Sequence, residues 1–198
     1  MHRLQLGIGT PNHAYYESIS VLDGSLVVPG VFSASDAGYG SAIATMGDMN
    51  GNGYDDLVVG APGDSDGGDN CGAVWVLYMS RTSVTKEPAV QTHLKLRPRT
   101  GTFLSAPADA GEFGTAVAAI DVNGDDTIDL AIGAPKLSDR SDSQVTDVGA
   151  VYVLSITATG EAGAYIVLDK ANSAMAGAAL VEGDQFGSSL CSADVDGD

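Results

Sequence analysis

Short apolar runs alternate along the chain with polar, glycine-rich turns, and no stretch shows convincing helical spacing. Four kinds of run recur. The first is a small-residue apolar run, Ser41 to Met46 and again Thr115 to Ile120. The second, Leu57 to Gly60 and Leu130 to Gly133, is short and is closed by Ala-Pro. The third, Ala73 to Tyr78 and Ala150 to Leu154, is apolar at successive positions, so it predicts a strand buried on both faces between two layers. The fourth, His93 to Arg97, alternates through Leu94-Lys95-Leu96 and predicts a half-exposed outer strand. The expected class is all-β.

The runs are parts of an internal repeat. Residues 48–62, DMNGNGYDDLVVGAP, return as residues 121–135, DVNGDDTIDLAIGAP, at an offset of 73, and DVDGD begins at Asp194 after a further 73. Ahead of the loops stand Tyr39-Gly40, Phe113-Gly114 and Phe186-Gly187; behind them, Gly72-Ala73-Val74-Trp75 answers Gly149-Ala150-Val151-Tyr152. Four antiparallel strands repeated in this way, with the inner strands covered on both faces, predict β-propeller blades. The units are a preceding blade ending within 1–37, blades at 38–110 and 111–183, and the start of another at 184–198.

The pairing of Phe113-Gly114 with Gly133-Ala134-Pro135, and of Tyr39-Gly40 with Gly60-Ala61-Pro62, around Asp-rich loops resembles the FG-GAP repeats of the integrin alpha-chain propeller. The resemblance implies a ring of seven blades. The 198 residues hold fewer than three repeats of 73, so the expectation is an incomplete propeller whose edges are covered by remaining blades.

The loops carry the candidate chemistry. Asp48, Asn50, Asn52 and Asp56 stand at positions 1, 3, 5 and 9, with the carbonyl of Tyr54 at position 7. The second loop offers Asp121, Asn123, Asp125, the Thr127 carbonyl and Asp129; the third offers Asp194, Asp196 and Asp198. Oxygen atoms at alternate positions around a glycine turn suit Ca²⁺, which takes 6 to 8 oxygen ligands. An EF-hand would need a bidentate Glu at position 12, where Val59 and Ile132 stand instead. By the resemblance, the position 9 Asp closes the site. A metal-free Asx hairpin is the competing reading, because Asp and Asn form such turns unaided. The second loop has one more carboxylate, but Asp126 stands where the family has Gly, and a left-handed conformation there costs an Asp more, which counts against affinity despite the extra charge.

Charge narrows the functions. There are 26 acidic and 9 basic residues, giving a net charge of −17, which excludes nucleic acid and anionic membrane surfaces as partners. Of the acids, 21 are Asp, the turn and cation-loop carboxylate. The longest apolar run, Ala73 to Met79, is far shorter than a membrane span, and no signal peptide is visible. Cys71 and Cys191 form no metal pair or disulfide framework, and Cys191 falls in an apolar pattern as a small buried hydrophobe. His2, His13 and His93 share no catalytic spacing. Asp55-Asp56 reads as a ligand and a solvated neighbour rather than a glycosidase dyad. Trp75 and Tyr152 read as inter-blade core. The basic cluster Arg81, Lys86, Lys95, Arg97 and Arg99 reads as protection of an outer strand edge.

The function the resemblance implies is a non-enzymatic, Ca²⁺-binding propeller for cell adhesion or extracellular ligand binding. By the same resemblance, a protein or glycan ligand would meet the loops opposite the metal hairpins, Gly63 to Cys71 and Lys136 to Val148. Weak Ca²⁺ sites fill outside cells, which points to an extracellular or cell-surface location. The alternative is the accessory propeller of a secreted hydrolase or lyase.

Overall fold

The computed structural model describes residues 38–81, 88–98, 111–125, 127–139, 144–157, 162–172 and 179–193. The expected blade at 1–37 lies outside them, as do Lys86, Arg99, Asp126 and the third loop at Asp194, Asp196 and Asp198. The described strands form two four-stranded antiparallel sheets, the architecture of β-propeller blades, and none of the described residues is helical. The first sheet is β1 (Ile43–Gly47), β2 (Asp56–Ala61), β3 (Ala73–Arg81) and β4 (Pro88–Leu96), in that spatial order. The second is β5 (Ala116–Ile120), β6 (Asp129–Ala134), β7 (Ala150–Ile156) and β8 (Ala162–Leu168). The first two Asp loops are the β1–β2 and β5–β6 hairpins, and the β2–β3 and β6–β7 connections lie at the opposite end of each sheet.

The doubly apolar third runs are buried on both faces. Val74, Val76 and Tyr78 point into a core shared with Ile132, Tyr152 and Leu154 of the second sheet. Trp75, Leu77 and Met79, on the other face of β3, pack with Val59 and Ala61. Burying each such side chain contributes about 1.5–3 kcal/mol, so both faces of β3 add to stability. Tyr152 is thus inter-blade core as expected; Trp75 lies in a separate cluster on the far face of the first sheet, and the blade expected to cover that face lies outside the described residues.

The repeat motif acts across that seam. Phe113 N–H donates to Cys71 O at 3.1 Å and Glu112 N–H to Asn70 O at 3.2 Å, making a parallel bridge between Gly72 and Phe113. The next junction repeats it: Phe186 N–H meets Val148 O and Gln185 N–H meets Asp147 O, both at 3.0 Å. Gly133 faces the following Phe-Gly so closely that an added Cβ would lie 1.9 Å from Gly187 O; Gly60 stands likewise 2.0 Å from Gly114 O. The Gly of Gly-Ala-Pro is therefore a seat for the Phe-Gly of the next unit.

Three expectations are corrected. The outer strand runs from Pro88 to Leu96 rather than His93 to Arg97, because β3 extends to Arg81 and supplies pairing partners along its whole length. Cys191 is exposed and in no strand. By the β1–β2 and β5–β6 pattern, its pairing partner would follow the third loop, beyond the described residues. Lys95 does not guard the edge. Its side chain is 16% exposed, with Nζ 2.6 Å from Asp64, bonded also to Asp66, and 5.0 Å from the Trp75 ring centroid. Arg97 joins Asp66 at 3.2 Å, so the outer strand ties down the 63–71 loop.

The hydrogen bond from Lys95, and then its charge, hold the Asp66 carboxyl below its ordinary value of 3.8. A depressed acid contributes stability that is complete above the ordinary value and is lost as pH falls through the depressed one. The difference in urea midpoint between wild type and Asp66→Asn is therefore expected to be constant above about pH 5 and to close in stronger acid. A difference that persists at the acid limit would show that the pair is not its source.

Candidate metal centre

Asx turns wind both Asp loops. In the first, Asp48 Oδ1 accepts from Asn52 N–H at 2.9 Å and Oδ2 from Gly53 N–H at 2.7 Å. Asn50 Oδ1 accepts from Asn52 N–H at 3.1 Å, and Asn52 Oδ1 from Tyr54 N–H at 2.9 Å. Asp56, at the start of β2, is fully buried beneath the loop. Its Oδ1 accepts from Met79 N–H at 2.7 Å and its Oδ2 from Met49 N–H at 3.1 Å. Burial dominates its titration and raises its pKa, and these two backbone bonds oppose that shift. Tyr54 is exposed, its ring 5.6 Å from the Arg81 guanidinium carbon, and Asp55 faces solvent.

The second loop follows the same winding. Asp121 Oδ1 accepts from the N–H groups of Asn123, Gly124 and Asp125 at 3.2, 2.8 and 3.2 Å. Asn123 Oδ1 takes Asp125 N–H at 2.9 Å, and Asp125 Oδ1 takes Thr127 N–H at 2.8 Å. Asp129 is 3% exposed; its Oδ2 accepts from Val122 N–H at 3.2 Å, and its Oδ1 has no hydrogen-bond partner.

The candidate residues of each of the two described loops are thus brought into one hairpin with the position 9 carboxylate buried below it. Among the described residues no three His, Cys, Asp or Glu side chains converge in ligating geometry. The donor set nevertheless fits a Ca²⁺ ion. Every candidate atom is a hard oxygen, a bonded carboxylate oxygen retains a second lone pair, and Asp129 Oδ1 is a buried acceptor that lacks a partner. A bound ion would draw on Asp48, Asn50, Asn52, Tyr54 O and Asp56 in one loop and on Asp121, Asn123, Asp125, Thr127 O and Asp129 in the other.

Sequence reasoning missed the contacts that anchor the first loop to its blade. Asn52 Nδ2 donates to Met79 O at 2.7 Å and reaches Gln91 Oε1 at 3.4 Å. The only signal in the sequence was the amide itself, Asn52 where the second loop has Asp125.

Comparison with known proteins agrees with this geometry. Residues 39–77 and 113–154 match the FG-GAP repeat family. The chain is 38% identical over 110 residues to phosphatidylinositol-glycan-specific phospholipase D of Bos taurus, covering 55% of this chain and 12% of that protein. The Homo sapiens protein of the same name is 39% identical over 110 residues, with the same coverage. Integrin alpha pat-2 of Caenorhabditis briggsae is 35% identical over 99 residues, 50% of this chain and 7% of that one. The chain therefore spans a small part of each relative it matches. None of the described residues forms a helix long and apolar enough to cross a membrane. The matches over residues 39–77 and 113–154 and the two interlocked sheets together show FG-GAP repeat blades of a partial β-propeller, related to those of integrin alpha chains and of phosphatidylinositol-glycan-specific phospholipase D.

Proposed function

We propose that these repeats form a calcium-stabilised, non-catalytic propeller that accompanies the catalytic domain of a secreted hydrolase. The observation that carries this reading is the similarity to two phospholipases D at 38% and 39% identity, above the 35% of the integrin match, over a segment that is only part of each protein. In this reading the chain supplies a rigid scaffold. The Asp loops bind Ca²⁺ and hold one end of each sheet, and the connections at the opposite end, residues 63–71 and 136–148, face a protein or glycan ligand. The Lys95–Asp64–Asp66 cluster supports that role, because it fixes the first of these loops against the outer strand. Remaining blades complete the ring, and an extracellular setting supplies the Ca²⁺ that weak sites need.

The integrin matches keep cell adhesion as a second reading. Fold alone does not separate the two. The complete reading frame of the gene does: a phospholipase-type catalytic domain joined to these repeats is the expected result. A membrane span with a short tail and no catalytic domain would overturn the hydrolase reading in favour of adhesion.

A further inference from the structure

The two described Asp loops share a pattern but are wired differently. The first grips one residue of β3 from both sides. Met79 N–H donates to Asp56 Oδ1 and Met79 O accepts from Asn52 Nδ2, each at 2.7 Å. Asp56 has both oxygens engaged, and Asp48 has both oxygens turned onto backbone N–H groups. This hairpin is closed by a neutral amide and by a carboxylate whose hydrogen bonds are already made. Among its candidate ligand positions only 1 and 9 carry charge, since Asp55 faces solvent.

In the second loop Asp125 takes the place of Asn52. A carboxylate has no N–H to donate, so the amide clamp onto the neighbouring strand is lost. What replaces it is a third carboxylate beside Asp121 and Asp129, and like charges in one short loop oppose its closure. Asp129 compounds the imbalance. It holds one backbone bond, at Oδ2, and its Oδ1 is buried without a partner, the state that costs a carboxylate most. A divalent cation would remedy both defects at once, by supplying positive charge among the three carboxylates and a partner for the orphaned oxygen.

We propose that the second loop, Asp121 to Asp129, is the one whose fold depends on a bound Ca²⁺ ion, and that the first is a self-latched hairpin that holds its shape without one. This rests on the calcium reading above and orders the two sites: the first loop binds the ion more weakly, by about tenfold or more, because it has fewer charges to offer. The order sets the wiring around Asn52 and Asp125 against the expected handicap at Asp126, which lies outside the described residues.

Site-resolved hydrogen exchange on the full-length protein, in millimolar Ca²⁺ and in excess chelator, tests the proposal, with calorimetric titration of Ca²⁺ alongside. The expected result is that chelation speeds exchange in peptides spanning residues 121–129 by about tenfold or more, while those spanning 48–56 and Met79 are unchanged. Asn52→Asp should make the first loop respond to the ion, and Asp125→Asn should weaken the response of the second. Equal responses in both wild-type loops, a response confined to the first, or an Asn52→Asp loop indifferent to Ca²⁺ would overturn the proposal. Ion uptake with no change in either loop would overturn it and leave the calcium reading standing. No uptake at all would overturn both.

Discussion

Gly72→Ala is expected to destabilise the propeller by about 2 to 5 kcal/mol, enough to remove much of the stability of an ordinary domain. Two costs fall on the same atom. The residue has φ +80, where an L side chain meets its own carbonyl, and the new Cβ would lie 2.1 Å from Phe113 O and 2.5 Å from Phe113 N. Both neighbours are backbone, held by the Phe113 to Cys71 hydrogen bond, so neither can swing aside. Gly183→Ala is the control. It has φ +82 and nothing within 4 Å of the added Cβ, so it should show only the backbone cost of about 1–2 kcal/mol. Urea midpoints of the two variants separate steric exclusion at the seam from left-handed strain; equal losses would mean that the close approach of Phe113 is not what requires glycine.

Phe113→Ala should cost about 3 to 5 kcal/mol by the same measurement. The ring is 1% exposed and meets Tyr152 edge-on, with centroids 5.2 Å apart at 78°, in the core between the two sheets. Removing it leaves a cavity that the surrounding strands, pinned by their ladders, cannot collapse to fill. It also removes an aromatic pair worth about 0.5–1.5 kcal/mol beyond its area. Tyr165, which is half-buried on β8 and 6.2 Å from Tyr152, should cost clearly less on truncation to Ala. A loss at Phe113 no larger than that at Tyr165 would contradict its place as the keystone of the junction.

The blade architecture was legible in the sequence because burial on both faces leaves a direct trace. Val74 to Met79 has no polar position to spare for solvent, and motif, loop and strand return in the same order, the loop at an offset of 73. The pairing of Phe-Gly with Gly-Ala-Pro was legible as a motif, but its physical content, a carbonyl lodged where a Cβ would stand, required coordinates. Side-chain commitments were less visible. Lys95 alternates with leucines as a solvent-facing residue would, and nothing local tells that Asp64 and Asp66, about thirty residues earlier, turn it inward. The same limit hid the clamp on Met79. Asn52 and Asp125 both offer an oxygen in the loop pattern, but they differ in charge and in whether an amide is available to a strand more than twenty residues away. Cys191 has apolar neighbours that suggest a buried strand, yet it is exposed and lies in no strand.

Calorimetric melting of the full-length protein in Ca²⁺, in excess chelator, and in Mg²⁺ at matched concentration tests the central claim most directly. The Mg²⁺ arm controls for screening of the net charge of −17. An ion that binds only the native state adds RT ln(1 + [L]/Kd), about 1.4 kcal/mol per site at about ten times Kd. The account predicts a melting temperature that rises in Ca²⁺ well beyond its value in Mg²⁺ and falls back on chelation; the same temperature in all three would contradict it.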